Sequence, residues 1–508
     1  MNQDRLVKLL ESFYDPEIKK ELKLLKILEY QDSWLSLQEL QTISGFSRPT
    51  IIKYLNHYSE CSNDYPSFCL KVDKKKGYCL EIYESFHYGQ YYRNQLYKMW
   101  PIQLIKELIL KKTMNKNFFV ENFFISESSL KQKIRQIRKL LKVFNLELAI
   151  DNGNYYLVGA EANIRRLAKE FFWEFFKGSI WPFETVNEGT IIEKARMILN
   201  SNYADLSLIE QRQLHYHLAI QEIRCTNSFF FEVQPLLAPL VPILEQSVTD
   251  LSNQAIFFPS LNELYYFYFL LATKTSYYPF FKFNFLPAAE KDERLSRLAT
   301  LNTQIIDYIN GSIKEMTLEQ THFFCDFLFS THVTLEMYGN TYSLNSNRLK
   351  QNRSTKLNEH LKNILALIDA QFSLTADIAE FLSYRYESIL LQTFPPNVFQ
   401  PEIKIGFCTD LDVTLERKLI ELLKVYFFDL YNVRFSSGIN KNDAPLDLVV
   451  HTSLSPEVFL TENVKQTVYL DIRSLYRSDL TELINLITQY ILKMQSDVGG
   501  RTVFRPAQ

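Results

Sequence analysis

The 508-residue sequence has little of what builds small stapled or metal-nucleated folds. It holds six cysteines, widely spaced and without a CxxC or CxxH cluster, which excludes a disulfide scaffold and argues against structural zinc. Cysteines used this way suit a reducing cytoplasm, where they behave as small buried hydrophobes. No apolar run is long enough to span a bilayer. The greasiest stretch, Leu264 to Leu286, is interrupted by Lys274, Pro279 and Lys282, with Pro287 just beyond. Met1-Asn2-Gln3-Asp4-Arg5 leads into a charged amphipathic stretch and not into a secretory signal, so a cytoplasmic protein is expected. Between Ile164 and Pro396 there is no Gly-rich phosphate loop, HExxH, GxSxG or paired-carboxylate signature. No cofactor, metal or catalytic role is expected.

Net charge is also scarce, at −2 from 56 basic and 58 acidic side chains. Taken as a total, that speaks against a nucleic-acid binder. The distribution points the other way. Residues 1–170 carry 27 Lys and Arg against 20 Asp and Glu, a balance of +7, and the remaining 338 carry 29 against 38, a balance of −9. An anion-attracting N-terminal third is joined to an acidic remainder. With 46% hydrophobic residues the chain is too apolar for a disordered one, and its length predicts about three to five domains.

Ser36 to Tyr58 reads as two short helices around a tight turn. Leu37, Leu40 and Ile43 face inward on the first, Gly45 supplies the turn, Ser47 caps the second, and Ile51, Ile52 and Leu55 are its expected inner face. Leu40, Gly45 and Ile51 have helix-turn-helix spacing, with Gln41 where a small residue is usual. The outer face would present Arg48, Thr50, Lys53, Asn56 and His57 to phosphates and base edges. A hairpin from Phe68 to Tyr83 follows, and its Lys74-Lys75-Lys76-Gly77 tip reads as a basic wing.

The plan recurs roughly 80 residues later. Phe118, Phe119 and Val120 start an apolar helix, Ser126 caps the next, and Leu130, Ile134, Ile137, Leu140 and Leu141 form a helical stripe. Opposite that stripe lie Lys131, Lys133, Arg135, Arg138, Lys139 and Lys142, the densest positive feature in the chain. Asp151-Asn152-Gly153-Asn154 then marks a hairpin. This second unit lacks a turn glycine.

From Ile164 to Pro396 the pattern is mainly helical, and Phe171 to Phe176 and residues 265–269 read as bundle cores. His215, His217 and His332 are the titratable groups to follow. His217 to Glu263 is 46 residues and His332 to Asp377 is 45, which suggests a duplicated helical module. After Pro395-Pro396 and Pro401, strands near Glu402–Cys408, Val433–Ser436, Leu446–Val450 and Thr467–Asp471 alternate with helices at Leu415–Tyr426 and Leu480–Met494, implying a small α/β domain. Cys408, beside Thr409-Asp410-Leu411-Asp412, reads as inert packing and not as a reactive thiol.

The order of these parts resembles the Mga family of global transcriptional regulators of Gram-positive bacteria. The resemblance implies a mainly α, multidomain chain: winged helix-turn-helix units at 1–85 and 86–163, helical-bundle regulation domains at 164–290 and 291–396, and an α/β domain resembling enzyme IIB of the sugar phosphotransferase system at 402–508. It implies a cytoplasmic regulator that binds double-stranded DNA by shape in A·T-rich regions and is a homodimer or higher oligomer. It further implies phosphorylation of His215, His217 or His332 by a phosphocarrier of that system, with no membrane partner. His217 fits the regulation-domain pattern through Leu218, Ile220 and Arg224, with Glu222 departing. His332 fits through Val333, Leu335 and Met337, with Gly339 in place of the arginine. Cys408 takes the place of the enzyme IIB phosphocysteine without its phosphate-binding loop. The alternatives are an RNA-binding antiterminator and a phosphotransferase-system phosphocarrier enzyme.

Overall fold

Local capping chemistry sets the first elements. The computed structural model describes residues 13–14, 16–31, 33–64, 67–111, 113–235, 237–247, 254–278, 293–339, 355–372, 374–428, 431–437, 445–453, 464–469 and 477–498. Its first helices are α1 (Pro16–Gln31), α2 (Leu37–Ser44) and α3 (Arg48–Asp64). Ser36 and Glu39 form a reciprocal capping box on α2: the Glu39 N–H donates to Ser36 Oγ at 3.2 Å and the Ser36 N–H to Glu39 Oε2 at 2.7 Å. Gly45 ends α2 at φ 73° and donates its N–H to the Gln41 carbonyl at 2.9 Å.

The hairpin pairs β1 (Phe68–Asp73) with β2 (Gly77–Ile82), and Leu35 exchanges two 2.8 Å backbone hydrogen bonds with Tyr78. That rung clamps the hairpin onto the helices. It also forces Gly77 to φ 101°, where an added Cβ would lie 2.2 Å from the Leu35 carbonyl oxygen. Leu24, Leu28, Leu40, Ile51, Tyr54, Leu55, Tyr58 and Phe68 close the core beneath.

The second repeat comprises α4 (Ser85–Tyr97), α5 (Trp100–Leu110), β3 (Met114–Asn115), α6 (Lys116–Asn122), α7 (Glu127–Val143), β4 (Glu147–Asp151) and β5 (Asn154–Val158). The sheet order is β3-β5-β4, all antiparallel. Asn152 at φ 47° and Gly153 at φ 78° make the two-residue turn opposite the Asp151–Asn154 pair, the handedness that a tight hairpin needs.

Next come α8 (Glu161–Phe176), α9 (Glu188–Leu199), α10 (Asn202–Asp205), α11 (Leu208–Thr226), α12 (Val241–Ser247) and α13 (Leu261–Ala272). A buried ion network joins these helices to α5. Arg224 of α11 reaches both Glu161 oxygens, at 2.8 and 2.7 Å, and donates to the Ile109 carbonyl at 3.0 Å. Arg165 of α8 bonds Glu161 at 2.9 Å and both oxygens of Glu263, at 2.6 and 2.9 Å. Gln221 and the Phe231 N–H complete the Glu263 carboxylate, each at 2.7 Å. Burial alone would raise the pKa of Glu263, but Arg165 and these donors hold it below the ordinary carboxylate range.

The chain divides into two units, residues 1–284 with 332–348, and residues 285–331 with 349–508. The second contains α14 (Glu293–Ser312), most of α15 (Leu318–Tyr338), α16 (Thr355–Phe372) and α17 (Ala376–Thr393), around Leu301, Ile305, Phe324, Leu361, Ile364 and Ile389. It ends with β6 (Ile403–Cys408), α18 (Val413–Phe427), β7 (Val433–Ser437), β8 (Leu446–His451), β9 (Val464–Tyr469) and α19 (Arg477–Val498). The sheet is fully parallel in the order β7-β6-β8-β9. Its last strand starts three residues earlier than the sequence pattern places it. Asp471, the expected boundary at residues 290–291 and the Asp377 side chain lie outside the described residues. Among the described residues no helix is long and apolar enough to cross a membrane.

Gly77→Ala should lower the unfolding free energy by about 3 kcal/mol, from positive-φ strain and the backbone clash. Gly153→Ala, whose Cβ would meet open space, should cost only about 1 kcal/mol. Equal losses in chemical denaturation would mean that the Leu35 clamp adds no penalty of its own. Arg224→Ala should cost about 3–5 kcal/mol because Glu161 loses its bidentate partner in a buried site. The double variant Arg224→Met/Glu161→Gln should cost less than the sum of its two single substitutions.

Candidate nucleic-acid interface and regulatory histidines

In the first repeat, α3 buries Ile51, Tyr54, Leu55 and Tyr58. The expected inner residue Ile52 is instead 37% exposed. The tyrosines displace it because their hydroxyls find partners on α1: Tyr54 donates to Glu17 Oε2 at 2.9 Å, and Tyr58 to the Glu21 carbonyl. The same helix engages two of the proposed DNA contacts. Lys53 Nζ lies 3.0 Å from Glu17 and His57 Nδ1 lies 2.7 Å from Glu21. Lys20, Lys53 and Tyr54 hold Glu17 down to about 2. Thr50 is half-buried, its hydroxyl 2.8 Å from that of Ser47. Arg48, Ile52 and Asn56 therefore make the open face of α3.

At the tip of the first hairpin, Lys74, Lys75 and Lys76 are exposed. Asp73 accepts the N–H groups of Lys75 and Lys76 at 2.8 and 2.9 Å, and Lys76 Nζ sits 5.8 Å from the Trp34 ring centre. The tip is ordered by its own carboxylate and still presents three ammonium groups.

In the second repeat the Ser126 hydroxyl caps α7 by accepting the Ser129 N–H at 3.2 Å. Leu130, Ile134, Ile137, Leu140, Leu141 and Val143 are buried. Lys131, Arg135, Arg138, Lys139 and Lys142 are exposed, and Lys133 is half-buried. Arg138 spends one N–H on the Leu148 carbonyl at 3.3 Å. Glu127 is the sole acid within α7, and Lys116 neutralises it at 2.7 Å. The outer face of α7 thus carries cations from Lys131 to Lys142, about three turns of helix. The turn that enters it uses Phe124 at φ 49° where the first repeat has Gly45 at φ 73°. The second hairpin tip, Asp151 to Asn154, carries no cation.

The three histidines lie inside the helices. His215 Nε2 is 2.9 Å from the Tyr203 hydroxyl, and burial, with Arg212 alongside, pulls its pKa down to about 4. Burial, reinforced by Lys274 and Lys169, holds His217 well below the usual histidine range. Lys274 itself, buried beside Lys169, is lowered to about 7. His332 is also buried. A phosphoryl donor reaches none of these rings without local opening of α11 or α15. Once in place, however, a phosphate on His215 or His217 would face cations.

Cys408 ends β6 beside β8, where a 2-1-3-4 parallel order reverses direction and such sheets bind ligands. The position already holds an anion. The buried Glu416 carboxylate accepts the Thr409 N–H at 3.2 Å and the hydroxyls of Thr409 and Ser437. Burial, followed by the charge of Glu416, raises the pKa of Cys408. Among the described residues no group of three or more His, Cys, Asp or Glu is placed to hold a metal.

Sequence reading singled out Arg224 and Glu263 separately but missed Glu161 and Arg165, which connect them. Only their burial in three dimensions reveals the set. It also missed Phe124 as a turn residue, because no side-chain rule selects phenylalanine for a positive φ.

Residues 84–172 match the Mga helix-turn-helix domain. Two curated relatives come from Bacillus anthracis. The capsule synthesis positive regulator AcpB is 19% identical over 206 residues, 41% of this chain and 42% of that protein. The capsule synthesis positive regulator AcpA is 23% identical over 195 residues, 37% of this chain and 40% of that protein. The matched stretches thus span about two fifths of the length of these relatives. The segment from α4 through most of α8, which holds the cationic helix α7, is thus the part of this chain that is similar to the Mga helix-turn-helix domain.

Proposed function

We propose that the protein is a non-enzymatic DNA-binding transcription regulator and that α7 is its principal recognition helix. The observation that carries the reading is the cationic outer face of α7, set on a buried apolar stripe and free of unneutralised acid. The match of this segment to the Mga helix-turn-helix domain and the likeness to two capsule synthesis positive regulators support it. Phosphate attraction docks the helix, and groove-facing side chains then read shape and bases. The first repeat contributes Arg48 and Asn56 with the Lys74–Lys76 wing, and Lys53 and His57 join only if they leave Glu17 and Glu21.

Regulation falls to the middle helices. His215, His217 and His332 are the candidate acceptors for a phosphocarrier of the sugar phosphotransferase system, in a conformation that exposes them. Arg212 and Arg196 near His215, and Lys274 and Lys169 near His217, would stabilise the phosphoryl group. The Glu416 carboxylate in the Cys408 loop argues for a C-terminal domain that keeps an enzyme IIB-like fold without phosphoryl transfer. Homodimerisation through that domain and a cytoplasmic location complete the proposal.

The DNA reading is tested by footprinting genomic fragments and by titrating duplex DNA over a range of salt. The triple variant Lys131→Ala/Arg135→Ala/Arg138→Ala should bind more weakly on every sequence, and its log–log salt slope should fall by about 2–3. An unchanged slope removes α7 from the interface, and preference for structured RNA in the same gel-shift series would favour an antiterminator. For the histidines, a reconstituted phosphorelay should label the wild type and not a His215→Ala/His217→Ala/His332→Ala variant; undiminished labelling of that variant would place the acceptor elsewhere.

A pH titration tests the buried state of His215. Its folded pKa lies below the unfolded value, so the unfolded chain binds more protons. Stability should be complete above about 6.5 and decline as pH falls toward about 4. His215→Asn should flatten that limb.

A further inference from the structure

Phe124 combines two unfavourable features at one residue. Its φ of 49° lies in the left-handed region that glycine and asparagine adopt most easily, and its side chain is 95% exposed. Neither serves the core. Phe119 is buried, and the adjacent Phe123 stacks on it at 5.6 Å with an interplanar angle of 9°. The backbone then turns and the next ring points away. A polar or small residue would make this turn at lower cost.

The position of the ring suggests what it meets. Phe124 stands two residues before Ser126, the cap of α7, at the N-terminal tip of the strip that continues through Ser128, Lys131, Gln132 and Arg135, all exposed. A recognition helix in the major groove directs its N-terminal residues at base edges. The apolar group there is the thymine C5-methyl. The cations that follow Phe124 along α7 would hold the phosphates on either side, so docking the helix carries the ring to the groove floor. We propose that Phe124 is an apolar base contact that reads thymine methyl groups, an inference that rests on α7 being the recognition helix. It assigns part of the base selectivity to the turn, outside the helix.

The test pairs protein variants with two probes: a duplex of about 30 alternating A·T base pairs, and the same duplex with deoxyuridine in place of thymidine. Wild-type protein should bind the uridine duplex about 4-fold more weakly for each methyl buried. Phe124→Gly should bind both duplexes alike, near the wild-type level on uridine, and its thermal midpoint should hold or rise because glycine accepts the turn. Phe124→Tyr, which keeps the ring, should keep the discrimination. Equal binding of both duplexes by the wild type, or full discrimination by Phe124→Gly, overturns the proposal. Failure of the wild type to bind either duplex in a salt-dependent manner overturns the recognition-helix reading, and this proposal with it. If the wild type discriminates but the Lys131/Arg135/Arg138 variant keeps its salt slope, the assignment of α7 fails and the Phe124 contact that rests on it fails too, whereas equal binding of both duplexes with a reduced slope overturns the Phe124 contact alone.

Discussion

Glu161 is the carboxylate on which the first unit depends. It heads α8 immediately after the β5 strand of the second hairpin, and it accepts bonds from Arg165 on its own helix and Arg224 on α11. Arg224 goes on to the carbonyl at the end of α5, and Arg165 to Glu263 on α13. Each of these charges would be untenable alone in a dry interior; together they are satisfied only when α5, α8, α11 and α13 are all in register. Apolar packing tolerates small slips between helices, whereas a forked arginine between two carboxylates does not. The network therefore ties the helices next to the second hairpin to the helix that carries His215 and His217.

The same rule, that charge must be matched, explains why the basic third of the sequence is unevenly available. Near α3, the acids of α1 have claimed Lys53 and His57. Near α7, the one acid is spent on Lys116, leaving most of the remaining cations to solvent. Two repeats with similar element order thus differ in readiness for an anionic partner. The repeat without the turn glycine is the one with the clearer surface, and it is also the segment that matches the Mga helix-turn-helix domain.

Much of this was legible in the sequence, for identifiable reasons. Gly45 and Ser126 act within three or four residues of themselves, so their roles at the helix ends can be read locally. The stripe from Leu130 to Leu141 repeats at helical period, and its polar side follows automatically. What escaped reading is long-range. Tyr54 outcompetes Ile52 for the core of α3 because a glutamate 37 residues earlier accepts its hydroxyl. The Arg165–Glu263 pair closes over 98 residues. Hydrophobic periodicity ranks side chains by aversion to water and takes no account of a tyrosine or arginine made comfortable by a distant partner.

Glu416 has a consequence for the loop after Cys408. A carboxylate tethered to the helix beside the Cys408 loop competes with soluble phosphate as an intramolecular ligand, and its effective concentration far exceeds that of a dilute metabolite. The loop is in this sense permanently occupied by a group of its own chain.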